Sequence, residues 1–201
     1  KLNLDPFHIL LDLNINKMNL KNLIKSDSIL FEFFKSKLLF NENISSNISL
    51  TVNKNLNQTM FDGGKIILNI TNGKIDFDQS YLFDDKIGLL KAMNSELFFD
   101  NDNLIFRADF NVIINDYNTF YSTFNSPKKL RKPIKNIITN IDYNFFEDRF
   151  IINSFKIDDR QPSIELKNRL KNFNELANKR PFNNIIQSRN FFNKLLSDYD
   201  G

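Results

Sequence analysis

A chain of 201 residues, 41% of them hydrophobic, is long enough to bury a substantial core, and its formal charge of +3 is too mild to imply nucleic acid by itself. The absence of cysteine excludes disulfides and thiolate metal sites and leaves the redox compartment open. No apolar run approaches the ~18 residues of a membrane-crossing helix. The 22 phenylalanines beside no tryptophan, with Asn, Ile, Lys and Leu abundant, reflect in part an A+T-rich coding bias. The sequence opens on Lys1 with strand-like alternation close behind, so a piece of a longer chain is expected, with any targeting segment upstream.

In chain order, Ile9, Leu11, Leu13 and Ile15 alternate with Leu10, Asp12, Asn14 and Asn16, which predicts a strand over Phe7–Asn16. Leu20–Phe40 places Leu20, Leu23, Ile24, Phe31, Phe34 and Leu38 at helical spacings and is expected to be mostly helix, although Ser26-Asp27-Ser28 can also divide a helix from a strand. Ile48, Leu50 and Val52 return to period two. Lys65–Phe83 reads as a hairpin around Asn72-Gly73, the pair suited to a type I′ turn, with Ile70 opposite Ile75 and Leu68 opposite Phe77. Tyr81–Phe83 continues or bends that strand, and Lys86–Asn94 is expected to be an irregular connection.

Leu104–Ile114 is the stretch around which the rest is organised. Leu104, Phe106, Ala108, Phe110, Val112 and Ile114 share one face, while Arg107, Asp109 and Asn111 mark the other as wet. Such alternation predicts a central strand, antiparallel to Ser95–Phe99 across a turn at Asp100–Asn103, with Leu97 and Phe99 on the same apolar face. Tyr117, Phe120, Tyr121 and Phe124 then make one face of a short helix with Asn115 or Asp116 as N-cap, ended by Pro127. Ile137–Phe145 alternates again, and Phe150–Ile157, apolar on both faces, predicts a returning strand with a bulge or a two-sided environment. Beyond Ser163 the period is helical: Leu166, Leu170, Phe173 and Ala177 form one face, and after Pro181 Phe182, Ile185, Ile186, Phe192, Leu195 and Leu196 form another. The expected architecture is α+β: a mainly antiparallel, curved, groove-like sheet of eight or more strands with short amphipathic helices over 1–160, then a helical tail over 161–201.

Little in the sequence suggests catalysis. His8 is the only histidine and has no partner motif for metal or nucleophile chemistry. The acidic pairs at Asp84-Asp85, Asp100/Asp102, Glu147-Asp148 and Asp158-Asp159 fall at expected turns, where Asp belongs for backbone reasons. Gly63-Gly64 lacks the Lys-Ser/Thr context of a phosphate loop. Pro127–Lys135 concentrates Lys128, Lys129, Arg131, Lys132 and Lys135, a cluster that suits anionic lipid headgroups, nucleic-acid phosphates or a solvated loop at a helix end. From Arg160 onward eight Lys/Arg stand against four Asp/Glu, so the helical tail can lie on a membrane surface or cover its own sheet. No enzyme activity, cofactor, metal or nucleic-acid partner is expected.

The succession GGKIILNITNGKIDF, SELFFDNDNLIFRADFNVII and KNIITNIDYNFFEDRFIINSFKID, with SPKKLRKPIKNI and the ending FFNKLLSDYDG, resembles the C-terminal region of AsmA-like proteins of A+T-rich Gram-negative bacteria. The likeness spans residues 60–201 well and the first sixty more loosely. It implies a periplasmic, envelope-associated module, anchored in the inner membrane by an upstream segment, with a sheet whose apolar face accommodates phospholipid acyl chains in the manner of bridge-like lipid transfer proteins. The implied roles are transport between membranes or outer-membrane assembly, with other envelope proteins as partners. On that reading Leu68, Ile70, Phe77, Leu97, Phe99, Leu104, Phe106, Phe110 and Val112 are candidate lipid contacts, and Lys128, Lys129, Arg131 and Lys132 candidate headgroup contacts. The alternative is a structural or interaction module whose sheet face is sealed by its own helices.

Overall fold

The computed structural model describes residues 2–4, 7–19, 28–54, 60–160, 162–177, 191–193, 195 and 196. The helical expectations for Leu20–Ile24 and for Phe182–Ile186 lie outside the described residues. Among the described residues ten strands form one mixed, mainly antiparallel, curved sheet. They are β1 (Leu2–Leu4), β2 (Phe7–Ile15), β3 (Ile44–Val52), β4 (Gly63–Thr71), β5 (Lys74–Asp76), β6 (Tyr81–Asp84), β7 (Gly88–Asp100), β8 (Asn103–Ile114), β9 (Asn136–Asn144) and β10 (Arg149–Ile157). Neighbours follow chain order, except that β5 and β6 share one place between β4 and β7. Helices among the described residues include α1 (Ile29–Lys35), α2 (Tyr117–Thr123) and α3 (Ile164–Ala177), and residues 191–193, 195 and 196 are helical too.

The turns show why these strands pair in register. Asn72 and Gly73 take φ of 52° and 72°, and Ile70 pairs with Ile75. At the next hairpin Asn101 and Asp102 take φ of 45° and 69° and Asp100 pairs with Asn103, so the turn has two residues rather than four; Leu97 faces Phe106 and Phe99 faces Leu104. Two expectations need correction. Leu68 does not pair with Phe77, because β5 ends at Asp76 and Phe77–Ser80 loop out. Ser80 fills the gap: its Oγ accepts from the Ile67 amide at 2.8 Å and donates to the Ile67 carbonyl at 3.2 Å. Lys86–Asn94 is not an irregular connection, since β7 begins at Gly88 and runs through a register shift between Met93 and Glu96. That shift sits beside the Phe77–Ser80 interruption, where Ser95 Oγ accepts from the Phe77 amide and donates to Asp78, each at 2.7 Å. Gly63-Gly64 begins β4 at a close approach: a Cβ on Gly64 would stand 2.4 Å from the Tyr81 carbonyl oxygen. The pair serves strand packing.

Other expectations hold with adjustments. Ser28 caps α1 by accepting from the Phe31 amide, and a 3₁₀ turn over Leu38–Phe40 follows. Asp116 is the N-cap of α2, which ends at Thr123, with Phe124 as C-cap and the left-handed Asn125 after it, before Pro127 is reached. The bulge foreseen in the last strand lies between Ile152 and Ser154. β1 was not foreseen at all, and β2 pairs with β3 in parallel.

Register puts Leu11, Ile48 and Leu68 in one row, Leu13, Leu50 and Ile66 in the next, and carries the apolar face through Ile75, Leu97 and Phe106 to Tyr143. The opposite face is mixed, with exposed Leu10, Met93 and Ile113 beside a polar network. Arg107 donates to both Asp142 oxygens at 2.8 and 2.7 Å; Asp109 accepts from Asn94 and Asn140 at 2.7 Å each; Asn153 donates to Asn140 and Asp142. The bidentate bond to Asp142 holds the Arg107 guanidinium above its ordinary pKa.

Candidate functional site

Eight of the nine candidate lipid contacts lie on one face of the sheet, as the alternation requires, and Phe77, in the loop after β5, packs onto that face against Phe106. They divide into two clusters. Leu68, Ile70, Leu97 and Leu104 are buried with Phe31 and Phe34 of α1, while Phe77, Phe99 and Phe106 pack around them. Phe34 meets Phe77 edge-on at 6.4 Å and Phe40 meets Phe99 at 5.1 Å, so α1 and its following turn seat aromatic rings on this end of the face. At the other end Phe110 and Val112 pack against a core holding Phe120 and Tyr121 of α2, Leu166 and Leu170 of α3, and Leu195 and Leu196. Phe106 and Phe110, with ring centroids 6.3 Å apart, join the two clusters. The face carrying the nine residues is therefore largely covered by the chain's own segments. Tyr143 lies in the same region; burial and its donated bond to Asp148 at 2.6 Å push its phenol pKa up.

The face opens at its N-terminal strands. Leu11 and Leu13 are 41% and 40% exposed, and Ile48, Leu50 and Ile66 beside them are half-buried. Sequence reasoning missed these as site residues, although the alternation of β2 had placed them on an apolar face. Two open grooves of about 560 and 620 Å³ lie elsewhere, one flanked by Tyr81, Leu89 and Met93, the other between β10 and α3, and none of the nine residues lines either.

The basic candidates separate by role. Lys128 and Lys129, in a 3₁₀ turn over Lys128–Leu130, are exposed, and so is Lys135. Arg131 instead turns inward: Nε and Nη2 donate to the Ser126 carbonyl at 3.1 and 3.0 Å, and Nη1 donates to the Asn118 carbonyl at 3.0 Å. Its charge thus binds carbonyl oxygens on and just beyond α2. Lys132 is half-buried. The Thr119 hydroxyl and the Asn118 amide hold the Asp116 carboxyl below its usual range, with a smaller contribution from Arg131.

The other edge of the sheet is partly capped. Asn174 of α3 accepts from the Ile152 amide at 3.0 Å and donates to the Ile152 carbonyl at 2.8 Å, taking the place of a neighbouring strand. The Ile157 carbonyl accepts from the Arg160 amide at 3.0 Å. With the bulge at Ile152–Ser154, these bonds occupy part of the free side of β10. No group of acidic and histidine side chains suited to a metal occurs among the described residues. No family model, curated protein or solved structure matches this chain.

Proposed function

We propose that this domain handles lipid, as one end of an apolar-faced sheet, and that acyl chains contact it along β2–β4 rather than over the packed centre. The carrying observation is that the apolar rows run without a polar break from buried Leu68 through Ile48 to exposed Leu11, with Leu13, Leu50 and Ile66 parallel to them. Exposed leucines in adjoining rows are costly in water, at ~25 cal/mol per Å², and acyl chains would relieve that cost. On this reading Leu68, Ile70, Leu97, Leu104 and their aromatic neighbours form the wall at which the lipid path ends. Lys128 and Lys129 meet anionic headgroups. The AsmA-like resemblance suggests the setting, the periplasmic side of a Gram-negative envelope with an anchor upstream.

The alternative, a sealed structural or interaction module, draws on the packing of α1, α2, Leu195 and Leu196 over the face. A photoreactive residue at Leu13, compared with one at Phe106, separates the two readings in Gram-negative cells. Lipid handling predicts phospholipid adducts at position 13 and few at 106. Adducts at neither position, with the domain folded, would refute it and leave the sealed module.

A further inference from the structure

The free side of β10 is occupied at two places and open between them. Antiparallel pairing turns alternate residues of a strand toward its partner. The Asn136 carbonyl accepts from the Asp158 amide at 3.0 Å, so the backbone groups of Lys156 and Ser154 also face β9, and those of Ile157 and Phe155 face outward. The outward Ile157 carbonyl is taken by the Arg160 amide, and past the bulge the outward groups of Ile152 are taken by Asn174. Phe155 stands between these two places. Its outward amide and carbonyl have no hydrogen-bond partner among the described residues, although the residue is only 1% exposed. A buried amide and carbonyl left unpaired are rare and costly. Phe155 lines the groove of about 620 Å³ between β10 and α3.

The rest of that groove says what fits it. Lys156 lines it from β10, and Lys167 and Lys171 line it one turn apart on α3, with Leu170 between them; Glu175 is the only acid among the described residues of the lining. Lys167 and Lys171 are exposed, and the side chains of all three lysines lack an ion-pair partner among the described residues. We infer that this groove binds a short, extended, acidic segment of another protein. One residue of the segment exchanges both backbone bonds with Phe155, and its neighbours place carboxylates on the lysines. Pairing is confined to one residue because Asn174 and Arg160 hold the places on either side. Side chains of an added strand alternate. The residue opposite Phe155 therefore takes the face of Phe155 and Leu170 and is apolar, while the residues flanking it take the face of Lys156 and are acidic. An ionised phosphate, free or in a lipid head or nucleic acid, would also suit the lysines. It carries only acceptors, however, and would leave the Phe155 carbonyl unpaired. The groove lies apart from β2–β4, so this inference does not rest on lipid handling.

A capped hexapeptide alternating Glu with Val, titrated into the 201-residue chain and followed by amide nuclear magnetic resonance, tests the inference. The Phe155 amide should shift as it gains an acceptor, and binding should weaken as salt rises. Lys167→Gln with Lys171→Gln, at two exposed positions, should weaken binding tenfold or more. The same peptide N-methylated at its valines should also bind at least tenfold more weakly, because the donor for the Phe155 carbonyl is gone. A peptide with Lys in place of Glu should not bind. A Phe155 amide unmoved by millimolar Glu-Val peptide would overturn the inference, and so would equal binding of the N-methylated form, since the cations alone would then hold the peptide. Inorganic phosphate, or vesicles of an anionic phospholipid, shifting the Phe155 amide as far as the peptide does would overturn it in favour of a phosphate site.

Discussion

Placing a carboxylate at Phe106 and, separately, at Leu11 measures how far the chain seals its own sheet. Phe106 sits between Phe77, at 5.5 Å and edge-on, and Phe110, at 6.3 Å, in the cluster completed by α1. Removing a fully buried Phe side chain costs about 3–5 kcal/mol; Phe106 is only partly buried, so it forfeits part of that, and a carboxylate set among these rings adds a further cost unless it protonates. A domain of this kind has about 5–15 kcal/mol to lose. Phe106→Asp should therefore lower the urea midpoint by roughly 1 M or more, at a slope of about 2–3 kcal/mol per M. Leu11 is 41% exposed on the same face, so Leu11→Asp forfeits only part of a leucine's ~1.5–3 kcal/mol and leaves the charge in water. Its midpoint should move by less than about 1 M. Urea melts followed by far-ultraviolet circular dichroism compare the two. Equal small shifts would refute the packing argument, since water would then reach Phe106 as it reaches Leu11. Equal large shifts would remove the open strip on which the lipid proposal stands.

The basic turn gives a second expectation: Lys128→Gln with Lys129→Gln should weaken binding to anionic liposomes in sedimentation, and the difference should shrink as salt rises. Arg131→Gln should instead lower the melting temperature, because its three carbonyl bonds hold the chain leaving α2. A last expectation concerns acid. The folded-state pKa of Asp116 is lowered, so its contribution is present above the unfolded value near 4 and is lost as pH falls through the lowered folded value. Asp116→Asn should flatten the fall in melting temperature below about pH 4, and an unaltered acid limb would show that the cap does not matter there.

Much of this fold could be read from residue order because its signals are local. Leu104–Ile114 alternates over its whole length, and its hairpin partners lie within a short turn, so face and register were both legible. Asn72-Gly73 fixed another hairpin through its need for positive φ. The strand β7 was obscured because its register shift between Met93 and Glu96 breaks period two, and because Ser80, Ser95 and Asp78 bridge a gap that no propensity announces. β1 is three residues long, too short to show a period, and the parallel pairing of β2 with β3 is a long-range choice with no local mark. Of the candidate site, the shared face was legible and its covering was not. Phe31 and Phe34 have helical spacing in the sequence, but nothing there says that they close over Leu97 and Leu104. Arg131 looked like one more cation in PKKLRKPIK until its bonds to Ser126 and Asn118 were seen.

The side chains of Leu11 and Leu13 stand on one face of β2, in rows with Ile48 and Leu50 of β3, while Leu10, Asp12 and Asn14 stand on the other. On the proposed reading an acyl chain along β2–β4 would meet the first set alone, and the rings of Phe34, Phe77 and Phe106 would bound its path. Lipid adducts at position 13 with none at position 12 would therefore assign the contact to the face, and equal adducts at both would refute that assignment.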